Sequence, residues 1–477
     1  MAEQRLPKQS DNFAEWYNQL VIRAELADYA PVRGCMVVRP YGWALWENIQ
    51  DALDERFKAT GHANAAFPLL IPRSFLEREQ EHVEGFSPEL AVVTVGGGEE
   101  LAEPLVVRPT SETIIGHMYA KWIKSYRDLP MLINLWNSVV RWELRTKLFL
   151  RTTEFYWQEG HTAHATAEEA EAETMQMLDI YDDFAKNVAA VPVVKGRKSE
   201  SERFAGALRS YSIEAMMGDK RALQAATSHN LGENFSRAFD IRYLDQENNL
   251  QYCWTTSWGL STRFIGAIIM VHGDDQGLIM PPQLAPYQVV IVPIFRNDEQ
   301  KAVVLKAIDS LEQQLSGIRL HIDRREGVTP GFKFNHWELR GVPLRLEVGP
   351  KEVTEGSVVI ARRDLPGRKG KQVVPQKGLA TTLTAQLDDL HKSLYERALA
   401  FRQANTLAPE DYDQFKEVLK NGWADVWWCG EADCEDSIKQ DTKATVRCIP
   451  LDQPGGQGEC IRCGHAAKER ALFSRAY

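Results

Sequence analysis

A proline-rich stretch, MPPQLAP (280–286), cuts the chain into two parts of different texture, and that cut limits what it can fold into. Prolines at this density stop helices and cannot donate to a sheet ladder, so the segment reads as a linker. Upstream, Phe13, Trp16, Tyr17 and Leu20 recur at helical spacing behind an Asn12/Glu15 capping pair. Leu45, Ile49, Ala52 and Phe57 mark a second helix that stops near Gly61. AAFPLLIP (65–72) reads as a buried strand, and AVVTVGGGEELAEPLVVRP (91–109) as two strands around a glycine turn. TSETIIGHMYAKWIKSY (110–126) reads as a helix. VVRWE (139–143) and FYWQEGH (155–161) read as antiparallel strands joined by the basic loop LRTKLFLRTT, and Thr166 with Glu169 opens a long helix.

After the linker, strands (YQVVIVPIF, IRLHID, PLRLEV, SVVIAR) alternate with helices, which predicts a compact α/β unit with a parallel or mixed sheet. A helix carrying Leu383, Leu387, Leu390 and Leu394 leads out of it. The expected division is 1–284, 285–396 and 397–477. The chain has 477 residues, enough for several domains of about 150 residues each. No run of about 18 apolar residues predicts a membrane span, and the N-terminus lacks a signal-peptide core, so a cytoplasmic location is expected. The net charge of −10 argues against tight non-specific nucleic-acid binding. Local basic clusters (Arg362, Arg363, Arg368, Lys369, Lys371; and Arg145, Lys147, Arg151) leave room for an RNA-binding face.

Seven cysteines do not suggest a disulfide framework. Cys429 and Cys434 (CGEADC) with Cys460 and Cys463 (CIRC) form two close pairs near the C-terminus, a spacing that suits a closed tetrahedral Zn2+ site of structural type. Cys448 reads as core, His465 as solvent-facing, and Cys35 and Cys253 as isolated core cysteines.

Chemistry concentrates on one strand. Phe155, Trp157, Glu159 and His161 alternate along it and share a face. Two aromatics there would ordinarily be core. An apolar core does not continue into an acid and a histidine, so the face reads as a ligand pocket.

RPTSE (108–112), RWELR (141–145), FLRTTEFYWQEGH (149–161), ATSHNLGENF (226–235) and TTSWGLSTRFIGAIIMVHGDD (255–275) occur in that order. The set resembles the class II aminoacyl-tRNA synthetases, specifically the prolyl family of archaeal and eukaryotic type. GHANAAFPLLIP (61–72) lies where the first class motif falls, with Pro68 at its proline. The resemblance spans the whole chain and implies an antiparallel-sheet catalytic domain, an α/β anticodon-binding domain and a small α/β zinc-binding C-terminal domain. It also implies ATP with Mg2+, L-proline and tRNA(Pro) as partners, a homodimer and no membrane. Activation is an in-line attack of an ionised carboxylate on the α-phosphate, so the protein must hold anions together and needs no general base. Guanidinium groups suit that task because they stay charged and bind in a bidentate way.

By resemblance, Arg141 bridges the proline carboxylate and the α-phosphate, and Arg263 holds the γ-phosphate end. These two are the catalytic candidates. Arg151 and Thr152 join the ATP site, Glu143 contacts the adenine end, and Phe155 stacks on the base. Gln224, Thr227 and Ser261 lie near ATP and its magnesium. Thr110 and Glu112 bind the proline ammonium. Trp157, Glu159, His161 and His229 shape the pocket, with Ser257 at its floor. Phe334, Glu338, Arg345 and Lys351 are expected to read anticodon guanines, since carboxylates and cations match the guanine edge and an aromatic can stack. The resemblance also suggests that Tyr477 folds back toward the pocket, and that no editing domain interrupts the stretch between EGH and TSH. Sister enzymes for histidine, threonine or glycine fit the layout and the C-terminal cysteines less well. The other alternative is a non-catalytic paralogue serving as a tRNA-binding or regulatory subunit. The presence of Arg141, Arg151 and Arg263 speaks against it.

Overall fold

The computed structural model describes residues 6–82, 90–143 and 145–477. Among these residues an 11-stranded sheet organises the molecule, and it draws strands from both ends of the chain. Before the linker come β1 (Ala63–Asn64), β2 (Met131–Val140), β3 (Glu154–His164), β4 (Val193–Arg197), β5 (Arg209–Met216), β6 (Ala222–Gly232) and β7 (Trp254–Ser261). Their spatial order is β4-β5-β6-β7-β3-β2-β1. Every neighbour is antiparallel except the edge pair β1–β2. The helix Ala167–Asn187 starts at a Thr166/Glu169 capping box and lays Met177, Leu178, Tyr181 and Phe184 across β6 and β7. Beneath the sheet, Tyr181 donates to Gln158, Gln158 to Asn134, and Asn134 to Asn64, a buried polar chain that fixes the relative register of β3, β2 and β1. Between EGH and TSH lie only that helix, β4, β5 and their connections.

The second sheet contains β8 (Val289–Pro293), β9 (Leu320–Ile322), β10 (Leu344–Val348), β11 (Ser357–Arg362) and β12 (Lys371–Pro375), in the order β9-β8-β10-β11-β12. It is mixed: β8 runs parallel to β9 and β10, while β11 and β12 are antiparallel to their neighbours. The helix Leu379–Ala404 buries Leu383, Leu387, Leu390 and Leu394, as the leucine spacing predicts, and runs straight through residue 396.

The C-terminal strands β13 (Thr406–Leu407), β14 (Trp423–Trp428), β15 (Thr445–Pro450) and β16 (Glu469–Ser474) do not form a detached sheet. β15 pairs with β4 through Ile449↔Arg197 and Pro450↔Gly196, so the C-terminal strands extend the main sheet.

Four local expectations change. AAFPLLIP is not a buried strand: only Leu70–Pro72 is extended, and Leu69 and Leu70 are 45% and 39% exposed. Pro68 has no N–H for a ladder, and of the apolar side chains Ile71 is buried while Leu69 and Leu70 face outward. RWE lies beyond the end of β2, which stops at Val140. The proline-rich linker is a packed strap. Met280, Leu284 and Ala285 are fully buried, and three of its carbonyls (Pro282, Gln283, Ala285) accept bonds from the guanidinium of Arg319. Cys35 is half-buried rather than core, whereas Cys253 and Cys448 are buried and His465 is exposed.

Candidate active site

β3 supplies the centre of the site. Its alternation turns Phe155, Trp157, Glu159 and His161 toward one open cavity of about 270 Å³. Gly160, on the opposite face, is required by packing: a Cβ there would lie 2.1 Å from the Trp258 ring. The indole therefore seats flat against β3 and props the pocket strand from behind. β6 brings Gln224, Thr227 and His229 to the cavity, and β7 brings Ser257 and Ser261. Thr110 and Glu112, at the start of the helix Glu112–Trp122, close one side. Arg141 and Arg263 close the other. Because Ser261 and Arg263 flank the start of the helix Arg263–His272, the positive end of its dipole lies at that wall.

At the acidic end almost every polar group is partnered. Glu159 accepts from Asn137 Nδ2 at 2.8 Å, from the Ser111 amide at 3.2 Å and from the Ser111 hydroxyl, and its carboxylate bonds His161 Nε2 at 3.1 Å. Burial alone would raise the Glu159 carboxyl, but these bonds outweigh it and hold it below its usual range. Burial would lower the His161 ring, yet the bond to Glu159 and the charge of Glu112 lift it above its ordinary value. Thr110 donates to Glu112, and Trp157 Nε1 donates to Asn137 at 2.6 Å. Donor atoms of Glu112, Glu159 and His161 lie within 4.8 Å of one another, a spacing that suits a cationic group. His229 stacks on Phe204 and bonds the Ser210 hydroxyl at 2.8 Å. Burial and the nearby charge of Lys198 pull its ring down to about 3, so it is neutral at physiological pH. One group is left over: the Ser257 hydroxyl is buried and has no partner.

The opposite end carries surplus positive charge. Arg141 donates Nε to the Pro109 carbonyl at 3.0 Å and lies over the faces of Phe155 and Trp157, 5.3 and 5.4 Å from their centroids. Arg263 donates Nε to the Leu150 carbonyl at 3.0 Å. Among the described residues no carboxylate comes within ion-pair distance of either guanidinium. Burial, then the like charges of Arg151 and Arg141, pull Arg263 down to about 10. It remains a cation at neutral pH with its electrostatics unbalanced. An anion is the missing partner.

Three of the expected ATP residues do not line the cavity. Glu143 and Arg151 face each other at 3.7 Å on the exposed loop beyond β2, and the Thr152 hydroxyl donates to the Glu154 carbonyl. Tyr477 is not in the cavity either. It docks behind the basic loop, donating to Asp219 at 2.6 Å with Lys147 Nζ 5.1 Å from its ring centroid. The sequence reading missed Lys198, Glu202 and Phe204, which complete the cavity from the irregular segment after β4.

Two further sites stand apart. Cys429, Cys434, Cys460 and Cys463 converge with all four sulfurs within 4.8 Å. The Cys434–Cys460 and Cys429–Cys463 separations are 3.6 and 3.7 Å. Tetrahedral Zn–S bonds of about 2.3 Å imply sulfur separations of about 3.8 Å, so the donor set fits zinc. Burial pushes the Cys429 and Cys434 thiols up, Cys429 to about 11, whereas around Cys460 burial is outweighed by backbone N–H groups, which draw its thiol down to about 7. In the second sheet, Glu338 and Arg345 line a cavity with Arg363, Arg368 and Lys371. The Arg345 guanidinium lies 4.1 Å from the Phe334 centroid, whereas Lys351 is exposed outside the cavity, near Glu355. Much of the basic cluster is already neutralised. Arg362 pairs with Asp364 and Asp389, Arg363 with Asp274, and Lys371 with Glu347.

Comparison with known proteins covers the whole chain. Family profiles match residues 94–272 as the tRNA synthetase class II core domain (G, H, P, S and T), 288–386 as an anticodon binding domain, and 412–477 as the C-terminal region of prolyl-tRNA synthetase. A proline–tRNA ligase of Roseiflexus sp. (strain RS-1) is 57% identical over 480 residues, covering 100% of both chains. A chloroplastic/mitochondrial proline–tRNA ligase of Arabidopsis thaliana is 52% identical over 482 residues, covering 100% of this chain and 89% of that one. Among solved structures, prolyl-tRNA synthetase from Cryptosporidium parvum, complexed with halofuginone and AMPPNP, superposes with a TM-score of 0.94 at 39% identity. The alignment covers 100% of this chain and 98% of that one.

Proposed function

The chain belongs to the prolyl-tRNA synthetase family, and from that premise we propose how its own residues carry out the reaction. It activates L-proline with ATP, releasing pyrophosphate, and transfers the prolyl group to the 3′ end of tRNA(Pro). The non-catalytic alternative is set aside.

The division of charge in the cavity carries the residue-level reading. Proline brings a secondary ammonium, an apolar ring and a carboxylate. In this reading Glu112 and Glu159 take the ammonium, with Thr110 and His161 holding them. The faces of Trp157 and Phe204 take the ring, and the unpartnered Ser257 hydroxyl bonds the substrate at the floor. Arg141 sits between the acids and Arg263, so it would hold the carboxylate beside the α-phosphate. Attack displaces pyrophosphate in line while Arg141 and Arg263 stabilise the added negative charge. Phe155 would stack on adenine. Glu143, Arg151 and Thr152 would meet ATP outside the cavity proper, where the charge of Arg151 already acts on Arg263. Mg2+ would arrive with the phosphates. Gln224, Thr227 and Ser261 offer neutral oxygens at that wall, which fits an ion held mainly by phosphate and water. Zn2+ at the four cysteines would be structural, since no ligand position is left open.

Several broader assignments belong to the same proposal. Domain limits at 284 and 396 are supported by the matched spans, although the helix Leu379–Ala404 bridges the second limit. The compact content between β3 and β6 supports an enzyme of archaeal and eukaryotic type without an inserted editing domain. Such an enzyme would leave alanyl-tRNA uncleared and depend on pocket discrimination or a separate factor, and each ring methylene that alanine lacks gives a pocket only about 1–3 kcal/mol of discrimination. Exposed Leu70, Val92 and Val95 on the small sheet of strands Leu70–Pro72, Ala91–Gly96 and Glu99–Val107 leave apolar surface there, which supports a homodimer. No helix among the described residues is long and apolar enough to cross a membrane; the cytoplasmic location stays part of the proposal. Phe334, Glu338 and Arg345 remain the proposed anticodon readers, with exposed Lys351 contacting the strand from outside the cavity.

The test is amino-acid-dependent exchange of pyrophosphate into ATP with each of the twenty amino acids. Strong exchange with proline and weak exchange with alanine or cysteine is expected. Preferential exchange with another amino acid would overturn the pocket assignment.

A further inference from the structure

The cavity wall that the sequence did not reveal is tied to the far end of the chain. Lys198 follows β4 directly and lines the cavity. Its ammonium donates to Glu214 Oε1 at 2.8 Å and to the Arg447 carbonyl at 2.7 Å. Arg447, on β15, places Nη2 and Nε at 3.0 and 3.2 Å from Glu214 Oε2, and the Ser212 hydroxyl completes the carboxylate at 2.9 Å. Lys198, Glu214 and Arg447 are 4%, 0% and 6% exposed. The group holds two cations and one anion. A buried ionic cluster stabilises poorly compared with an apolar core, and its best-attested use is to fix geometry.

What it fixes is the start of segment 199–208. The Ser199 hydroxyl donates to Glu435 Oε1 at 3.0 Å, a second bond to the C-terminal module. Farther along, the Phe204 amide donates to the Ser210 hydroxyl at 3.0 Å, the same hydroxyl that His229 bonds, and the two rings stack 4.7 Å apart. Glu202, Phe204 and His229 all line the cavity, and His229 lies in register with Ser257, which in turn lies in register with His161. Across the join, β15 meets β4 at two residue pairs, Ala222 exchanges backbone bonds with Arg475 and Tyr477, and Arg197 pairs with Glu469, so the buried cluster is the part of the connection that reaches the cavity wall through Lys198. Phe155, Gln224 and Arg263, which also line the cavity, sit on β3, β6 and a core helix; β6 bonds the C-terminal module through the backbone of Ala222, and among the described residues no side chain of these three bonds that module.

We propose that Arg447 is a positioning residue for the amino-acid end of the active site: through Glu214 it fixes Lys198, and with Ser199–Glu435 it holds segment 199–208 so that Glu202 and Phe204 face the bound amino acid. This rests on the reading of the cavity as a proline site. The C-terminal module thereby acts on proline recognition without contributing an atom to the pocket.

Proline-dependent pyrophosphate exchange on full-length variants tests it. Arg447→Met should raise KM for proline about tenfold or more while KM for ATP stays within about twofold, and Arg447→Lys should recover most of the loss. A parallel rise in both KM values, or a fall in kcat alone, would overturn the proposal. Because Arg447→Met removes a buried charge and risks misfolding, Ser199→Ala is the companion variant. It should raise KM for proline about threefold with an unchanged melting midpoint, and an unchanged KM would count against the proposal. Lack of proline-dependent exchange by the unaltered chain is a distinct result, since it would defeat the functional reading beneath the proposal.

Discussion

The two ends of the cavity solve opposite electrostatic problems. At one end Glu159, His161, Ser111 and Asn137 satisfy one another, and the carboxylate is held ionised within a closed network. At the other, Arg141 and Arg263 line the same space, each with Nε on a carbonyl oxygen and no carboxylate within ion-pair distance among the described residues, and Arg263 is depressed to about 10 by burial and its cationic neighbours. A preformed network suits a small zwitterion whose ring and ammonium need an exact-fitting pocket. Uncompensated cations suit a polyanion that brings its own charge and metal. The contrast also says where transition-state stabilisation resides: the added negative charge develops beside the arginines, and the acids set which amino acid arrives.

That contrast can be broken by substitution. The largest effect is expected at the cationic end. Arg263→Ala should lower kcat/KM for pyrophosphate exchange by about 10²–10³-fold, and because it relieves like-charge repulsion it should not lower the melting midpoint. Loss of activity only through unfolding would contradict the assignment. Next, Glu159→Gln should raise KM for proline by about 10–100-fold while KM for ATP changes little, as expected for a charge-assisted bond. Comparable changes for both substrates would erase the division between the ends. A smaller effect belongs to Ser257→Ala. Its hydroxyl is an orphan in the free protein, so the variant should lose about 3–10-fold in proline affinity with no loss of stability. Lower stability with unchanged affinity would make the serine purely structural.

The smallest effect is a titration. His161 is raised by its carboxylate partner, so its stabilisation is complete below the unfolded value of about 6.5 and fades as pH rises through the higher folded value. His229 is depressed to about 3, so its contribution is present above about 6.5 and is lost as pH falls toward 3. Ring-selective NMR should show His161 titrating above its ordinary value and His229 silent between about pH 5 and 9. Titration of His229 near 6.5 would remove it from the buried wall.

How legible the site was in the sequence depends on how locally it is built. The face of β3 could be read because strand periodicity is two, which makes Phe155, Trp157, Glu159 and His161 neighbours by necessity. The four cysteines could be read because thiolate pairs have few other uses at that spacing. The third wall could not. Lys198, Glu202 and Phe204 come from a segment without periodicity, held by Glu214 and by Arg447, two residues that only the folded sheet brings together. Patterning also misjudged solvent. AAFPLLIP looks like core because it is apolar, but Leu69 and Leu70 face outward. MPPQLAP looks like a linker because it is rich in proline, but its apolar residues are buried. Composition tells how a segment breaks the ladder, and only packing decides which side faces water.

The most direct test of the account is charging itself: labelled proline, ATP and a tRNA(Pro) transcript with the unaltered chain and with Arg263→Ala. The account predicts ATP-dependent accumulation of proline as an ester on the tRNA 3′ end, abolished by the substitution in a folded protein. Absence of charging by the unaltered chain, or undiminished charging by Arg263→Ala, would contradict it.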